Sequence, residues 1–258
     1  MIIVKVPGIN GLGRTKGTRN AGVKILEDFG SQYKYEEIHV DNFNLEEQES
    51  LIRKNAVKLF EEEDKVIFIG GDHSISYPLV DSFRKVHGND FRLVVFDAHA
   101  DCMPAMREPT HEEWLRALIE NGWKGSDVLI IGLRKVEREE KEFLDIYGVK
   151  RISVEEIRYD SLKSIKWLRN FISRGKIYAS FDVDVFDPSI VKATGFLEED
   201  GLREEEVMRL IDVIKEGSVV GFDLVEIDLN KGVKDVEETV RLARKVLEKF
   251  IGNSHNNL

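Results

Sequence analysis

At 258 residues, 42% of them hydrophobic, the chain is long enough for one large α/β domain with a sizeable core. A formal charge of −10 and a pI near 5.3 exclude a general nucleic-acid binder, and an acidic site would favour cationic substrates. One cysteine, Cys102, excludes an internal disulfide and fits a reducing cytoplasm. No run approaches the ~20 apolar residues of a membrane span, and the apolar start at 1–6 is too short and lacks the cationic leader of a signal peptide.

Apolar runs and period-3.6 stretches alternate along the whole chain. Strands are predicted at 2–6, 36–40, 66–69, 92–96, 128–131, 150–152, 176–181 and 218–222. Helices are predicted at 21–29, 45–63, 75–87, 112–120, 137–147, 161–173, 203–216 and 236–250, before a polar tail at 252–258 expected to fray. The glycine-rich stretch 7–21, with Arg14, Lys16 and Arg19, has neither Walker nor G-x-G-x-x-G spacing and reads as a loop near the mouth of a site. Eight β/α alternations without a linker predict one domain over 1–258. Periodicity alone leaves a closed (β/α)₈ barrel and an open parallel sheet equally possible.

Three strands end in clusters of Asp and His. They are Gly70-Gly71-Asp72-His73-Ser74, Asp97-Ala98-His99-Ala100-Asp101, and Phe181-Asp182-Val183-Asp184-Val185-Phe186-Asp187-Pro188. Strand alternation would put Asp182 and Asp184 on one face, and Asp97, His99 and Asp101 on another. Carboxylates crowded at a buried strand end repel one another and lose solvation unless a cation lies between them. So many carboxylate and imidazole donors at converging strand ends point to two divalent metals.

These blocks, with Ala193-Thr194-Gly195, Gly132-Leu133-Arg134 and Gly221-Phe222-Asp223-Leu224-Val225-Glu226, resemble the signature segments of the arginase–agmatinase (ureohydrolase) family, in order from 70 to 226. The resemblance implies an open three-layer αβα sandwich with an eight-stranded parallel sheet. It also implies two Mn²⁺ per subunit, His73 and Asp101 binding one, His99 and Asp184 the other, and Asp97 and Asp182 bridging them. The implied reaction is hydrolysis of a linear C–N amidine bond of a small guanidino compound to urea and an amine, by hydroxide shared between the metals. Asp101 would assist, His111 would shuttle protons, Glu226 would pair with the guanidinium, and Thr194 would line the substrate site. A trimeric or hexameric assembly is implied too, with no nucleic-acid or membrane partner.

Departures from the family pattern fall on substrate contacts. Phe196-Leu197-Glu198 replaces the usual Gly-Thr-Pro, and Lys135 and Glu137 stand where arginases carry aspartates. The loop after Asp101 lacks the Asn and Ser of arginases and the Ser-His-Gly-Thr of agmatinases; Arg107 is the cation there that could take a substrate carboxylate. Asp72 is expected to orient the first motif, Asp187 and Asp223 to be hydrogen-bonded turn or strand-end groups, and His39, His87 and His255 to serve surface or packing roles. Two alternatives stand beside this reading: a zinc-dependent deacetylase of a related sheet, using one metal, and a catalytically silent binding protein of the same fold.

Overall fold

The apolar runs form the strands of a single sheet in the computed structural model, which describes residues 1–27 and 29–252. In chain order they are Ile2–Val6 (β1), Lys34–Glu37 (β2), Val66–Gly70 (β3), Phe91–Phe96 (β4), Val128–Ile131 (β5), Lys150–Ile152 (β6), Lys176–Asp182 (β7) and Ser218–Val225 (β8). All pair in parallel, in the order β2-β1-β3-β8-β7-β4-β5-β6. β2 and β6 are open edges, so the sheet does not close into a barrel. The helices are Ala21–Leu26 (α1), Leu45–Glu62 (α2), Ser76–His87 (α3), Trp114–Glu120 (α4), Arg138–Tyr147 (α5), Val154–Tyr159 (α6), Ser161–Ile172 (α7), Glu204–Ile214 (α8) and Val233–Ile251 (α9).

Alternate residues of each strand serve opposite faces. Val4, Phe68, Val95 and Ile130 pack under α2 to α5. Ile3, Ile67, Val94, Ile177 and Phe222 pack under α1 and α6 to α9. Both faces are covered, which is why the central strands read as continuous apolar runs. The expected three-layer αβα sandwich is the architecture found. Among the described residues no helix is long and apolar enough to cross a membrane.

Three differences from the sequence reading have physical causes. β2 lies two residues earlier than predicted: β1 ends at Val6 before Pro7, so residues 39 and 40 have no ladder to join, whatever their side chains. α6 was not anticipated, although Ser153 and Glu156 form a reciprocal capping box that marks its start. β8 runs on to Val225, carrying Glu226 to the sheet's carboxyl end. The frayed tail and His255 lie outside the described residues.

Close backbone approach explains one motif glycine. A Cβ on Gly71 would lie 1.8 Å from the carbonyl oxygen of Gly8, a backbone atom that cannot rotate away. Gly71→Ala is therefore expected to cost about 3 kcal/mol, read as a fall in Tm by thermal denaturation. An unchanged Tm would mean that the 7–10 segment can shift freely.

Candidate metal centre

The four central strands, β3, β8, β7 and β4, deliver all the candidate residues from their carboxyl ends. β7 and β8, late in the chain, lie between β3 and β4, so the strand of the third motif borders that of the second, and β8, which leads to Glu226, separates it from that of the first. Ligands in open parallel sheets bind at such places.

Convergence does not come from strand alternation. β4 stops at Phe96, and Asp184 sits on a 3₁₀ turn, Val183–Val185. Instead the same local device recurs at three strand ends: an aspartate oxygen accepts the amide two residues on. Asp72 accepts from Ser74 N at 3.2 Å, Asp97 from His99 N at 2.6 Å, and Asp182 from Asp184 N at 2.8 Å. One oxygen of each aspartate locks the turn, and the other is left to point elsewhere. Asp184 accepts from Ala98 N at 3.0 Å, which ties the third motif to the second.

Two donor sets result, His73 with Asp97 and Asp101, and Asp97 with His99 and Asp184, the ligand atoms of each lying within 4.8 Å of one another. Asp97 belongs to both. Asp182 Oδ2 stands 3.4 Å from His73 Nδ1, beside the first set. His73 Nδ1 also lies 3.1 Å from Asp97 and 3.0 Å from Asp101, yet it forms no hydrogen bond with any of the three, and Asp97 Oδ2 has no partner either. The distances are those of an ion pair but the directions are not those of N–H···O bonds. Lone pairs facing one common point describe the arrangement better.

The imidazole orientation is set from behind. His73 Nε2 lies 2.9 Å from Ser180 Oγ, which donates to Asp223 at 2.6 Å; Asp223 also accepts from Tyr178 and Ser76. With Ser180's proton committed to Asp223, its oxygen accepts from Nε2–H and Nδ1 faces the carboxylates. In the protein alone burial disfavours a charged ring, but Asp101, Asp182 and Asp97 outweigh it and raise the His73 pKa well above its ordinary value, a proton that a bound cation would replace. Asp72, fully buried, accepts from Asn10 N and Thr15 Oγ1 and so anchors the glycine-rich loop behind the first motif. That loop supports the site and does not line the cleft. Trp114 Nε1 holds Asp101 Oδ2 at 2.7 Å.

In the protein alone, burial and mutual repulsion push Asp101 up to about 7 and Asp182 well above the carboxylate range. Asp97 is held low, because the two imidazoles beside it outweigh burial. Burial disfavours a charged His99, but Asp184 and Asp97 overcome it and push the ring up to about 12. A cluster that draws protons so strongly is one that dications stabilise, and its O and N donors fit Mn²⁺.

Above the cluster opens a cleft of about 260 Å³ lined by His73, His99, Asp182, Asp184, Glu226 and Thr194 among others. Glu226, on left-handed backbone with φ 68°, accepts from His73 N through Oε1, while its buried Oε2 has no partner. His111 Nδ1 is 3.4 Å from Glu226 Oε1. Burial lowers the His111 pKa, but the Glu226 carboxylate outweighs it and pushes it up to about 9. Phe196 packs against His111 and His99, at 5.5 and 6.1 Å between ring centroids.

The structure thus brings His73, Asp97, His99, Asp101, Asp182, Asp184, His111, Thr194 and Glu226 to one place. Arg107 is elsewhere, exposed and paired with Glu46 and Glu108 off the cleft. His39 is on the surface, and His87 packs between Phe60 and Phe83. Asp187 caps its own turn through Ser189. Trp114, Ser180, Phe196 and Arg134 were not foreseen in these roles. Only the position of Ser180, two residues before Asp182 on the same strand face, was a usable signal.

An open αβα sheet with two His/Asp donor sets at the carboxyl ends of its central strands places the chain among open parallel α/β proteins with a candidate metal site. Residues 15–252 match the model of the Arginase family, and the chain belongs to that family. It is 32% identical over 189 residues to the N(1)-aminopropylagmatine ureohydrolase of Thermus thermophilus, the match covering 72% of this chain and 62% of that protein. It is 30% identical over 204 residues to the arginase of Glycine max, covering 76% and 55%. The chain thus spans less than two thirds of the length of these relatives. Arginase from Bacillus subtilis superposes with a TM-score of 0.85 at 22% identity, over 99% of both chains.

Proposed function

We propose that the chain, as one domain over 1–258, is a hydrolase that cleaves a guanidino compound to urea and an amine with two manganese ions. The observation that carries this reading is the pair of donor sets sharing Asp97, with His73 Nδ1 and Asp97 Oδ2 buried and unpartnered. His73, Asp97, Asp101 and Asp182 would hold one ion, and Asp97, His99, Asp182 and Asp184 the other. When bound, such ions supply Lewis acidity and a water acidic enough to act as a nucleophile near neutral pH. Four ionised carboxylates would balance the charge of two dications.

The chain's own residues do the rest. Glu226 Oε2, buried and unpaired at the floor, is placed to take the N–H groups of a planar cation in a charge-assisted pair. His111, charged at neutral pH, donates its proton to the departing nitrogen as the C–O bond forms and the C–N bond breaks. Phe196 covers both imidazoles and limits water. Trp114 keeps Asp101 turned inward, so Trp114→Phe is expected to weaken metal binding about 10–100-fold, measured by competition with a chelator.

A deacetylase with one metal would not need His73 and Asp101 in a donor set, and both are in one. Assembly as a trimer or hexamer rests on family membership and is read by sedimentation equilibrium; a cytoplasmic setting rests on the single buried cysteine. The deciding experiment is a urea-release screen of the manganese-loaded protein over arginine, agmatine, longer aminoalkyl guanidines, guanidinobutyrate and formiminoglutamate (formamide replacing urea as readout for the last). His99→Ala should abolish the hit. Two ions per chain with no product from any compound would leave a binding protein, and one zinc per chain with deacetylation would favour that rival.

A further inference from the structure

The mouth of the cleft carries charge that the reaction itself does not use. Its floor is buried, and there the unpartnered Glu226 Oε2 calls for a cationic ligand. Toward solvent the lining residues are Glu112, Lys135, Glu137 and Glu198. Lys135 is 3.5 Å from Glu137, and the two offset each other. Neither carboxylate forms an ion pair with a lysine or arginine side chain among the described residues: Glu112 lies 3.8 Å from His111 and Glu198 3.6 Å from His99, while the Arg134 guanidinium beside Glu198 is spent on backbone carbonyl oxygens.

Resting on the hydrolase reading above, we propose that Glu112 and Glu198 form a subsite for a second positive charge at the far end of the substrate. The enzyme then selects guanidino compounds ending in an ammonium over those ending in a carboxylate. Glu198 is held in place: Arg134 donates to its carbonyl oxygen at 2.9 Å, to that of Glu199 at 3.0 Å and to that of Asp184 at 2.7 Å. This ties the mouth loop to the turn that carries Asp184. Phe196, two residues before, is seated on both imidazoles. A carboxylate tail would meet two like charges at this mouth, and Arg107 is not there to receive it.

Partly exposed pairs of this kind are worth about tenfold in affinity when two act together. The test uses ligands with the two tails and no scissile bond. Manganese-loaded protein is titrated calorimetrically with 1,4-diaminobutane and with 4-aminobutanoate, and urea release is followed separately from the guanidines of the same tails. The diamine should bind at least about tenfold more tightly, and Glu198→Gln and Glu112→Gln should each shrink that ratio, the double variant removing most of it. Equal binding of the two ligands, or a ratio unchanged in the double variant, overturns the assignment. A binding preference with no product from any compound of the screen above would sink the hydrolase reading and leave the subsite standing.

Discussion

Asp182→Asn is expected to abolish urea release while leaving the metal-free protein about as stable as the parent. Asp182 is 4% exposed, and burial, together with Asp184 and Asp97 nearby, keeps a proton on it in the protein alone. An amide has nearly the shape and charge of that protonated acid. The substitution should therefore move the Tm of the metal-free form by no more than about 3 °C, equivalent to about 1 kcal/mol. The manganese-loaded form should differ sharply. An amide cannot supply the negative charge that two cations share, so metal per chain should fall from two to one or fewer. Turnover should fall at least about 10³-fold, the scale of losing one preorganised charge at a reacting centre. Added manganese should also raise Tm less than in the parent, since ligands stabilise only in proportion to binding. Two ions retained with unaltered turnover would remove Asp182 from the centre. A large fall in the metal-free Tm would instead make its contact with His73 a structural ion pair.

The second large effect concerns His111 and Glu226. His111→Asn should lower kcat by about 10²–10⁴-fold, the usual contribution of a positioned acid or base. The pair also has a pH signature in the metal-free protein. The folded pKa of His111 is raised from 6.5 to about 9, with Glu226 outweighing burial, so the native state binds a proton more tightly than the unfolded chain. The stabilisation is thus fully present below about pH 6.5 and is lost as pH rises through about 9. The difference in unfolding free energy between the parent and Glu226→Gln should narrow across that window. A difference that stays constant with pH would mean that His111 is neutral throughout and cannot be the proton donor.

The parts of the site legible in the sequence were those encoded locally. Asp and His at the ends of apolar runs mark strand termini facing a ligand, and the three motifs converge as their order implied. The stated reason was partly wrong: Asp182 and Asp184 share a side because an aspartate-locked turn bends the chain, not because a strand alternates. Trp114 and Arg134 were invisible in these roles, since each acts on groups brought near only by the packed fold. Arg134 illustrates this best, because its targets are backbone carbonyls, which carry no side-chain signal. β2 was misplaced because Lys34 and Tyr35 do not look like the start of a buried strand; on an open edge, pairing with β1 alone defines it.

Asp101 and Glu226 both adopt left-handed backbone, with φ of 48° and 68°, a conformation costing non-glycine residues of order 1–3 kcal/mol each. Glycine would relax either position and forfeit its carboxylate. Leu12 and Asp200 share that conformation, so attempts to harden this molecule against heat by relieving torsional tension have two positions open to glycine and two, Asp101 and Glu226, where relief would remove a proposed site carboxylate.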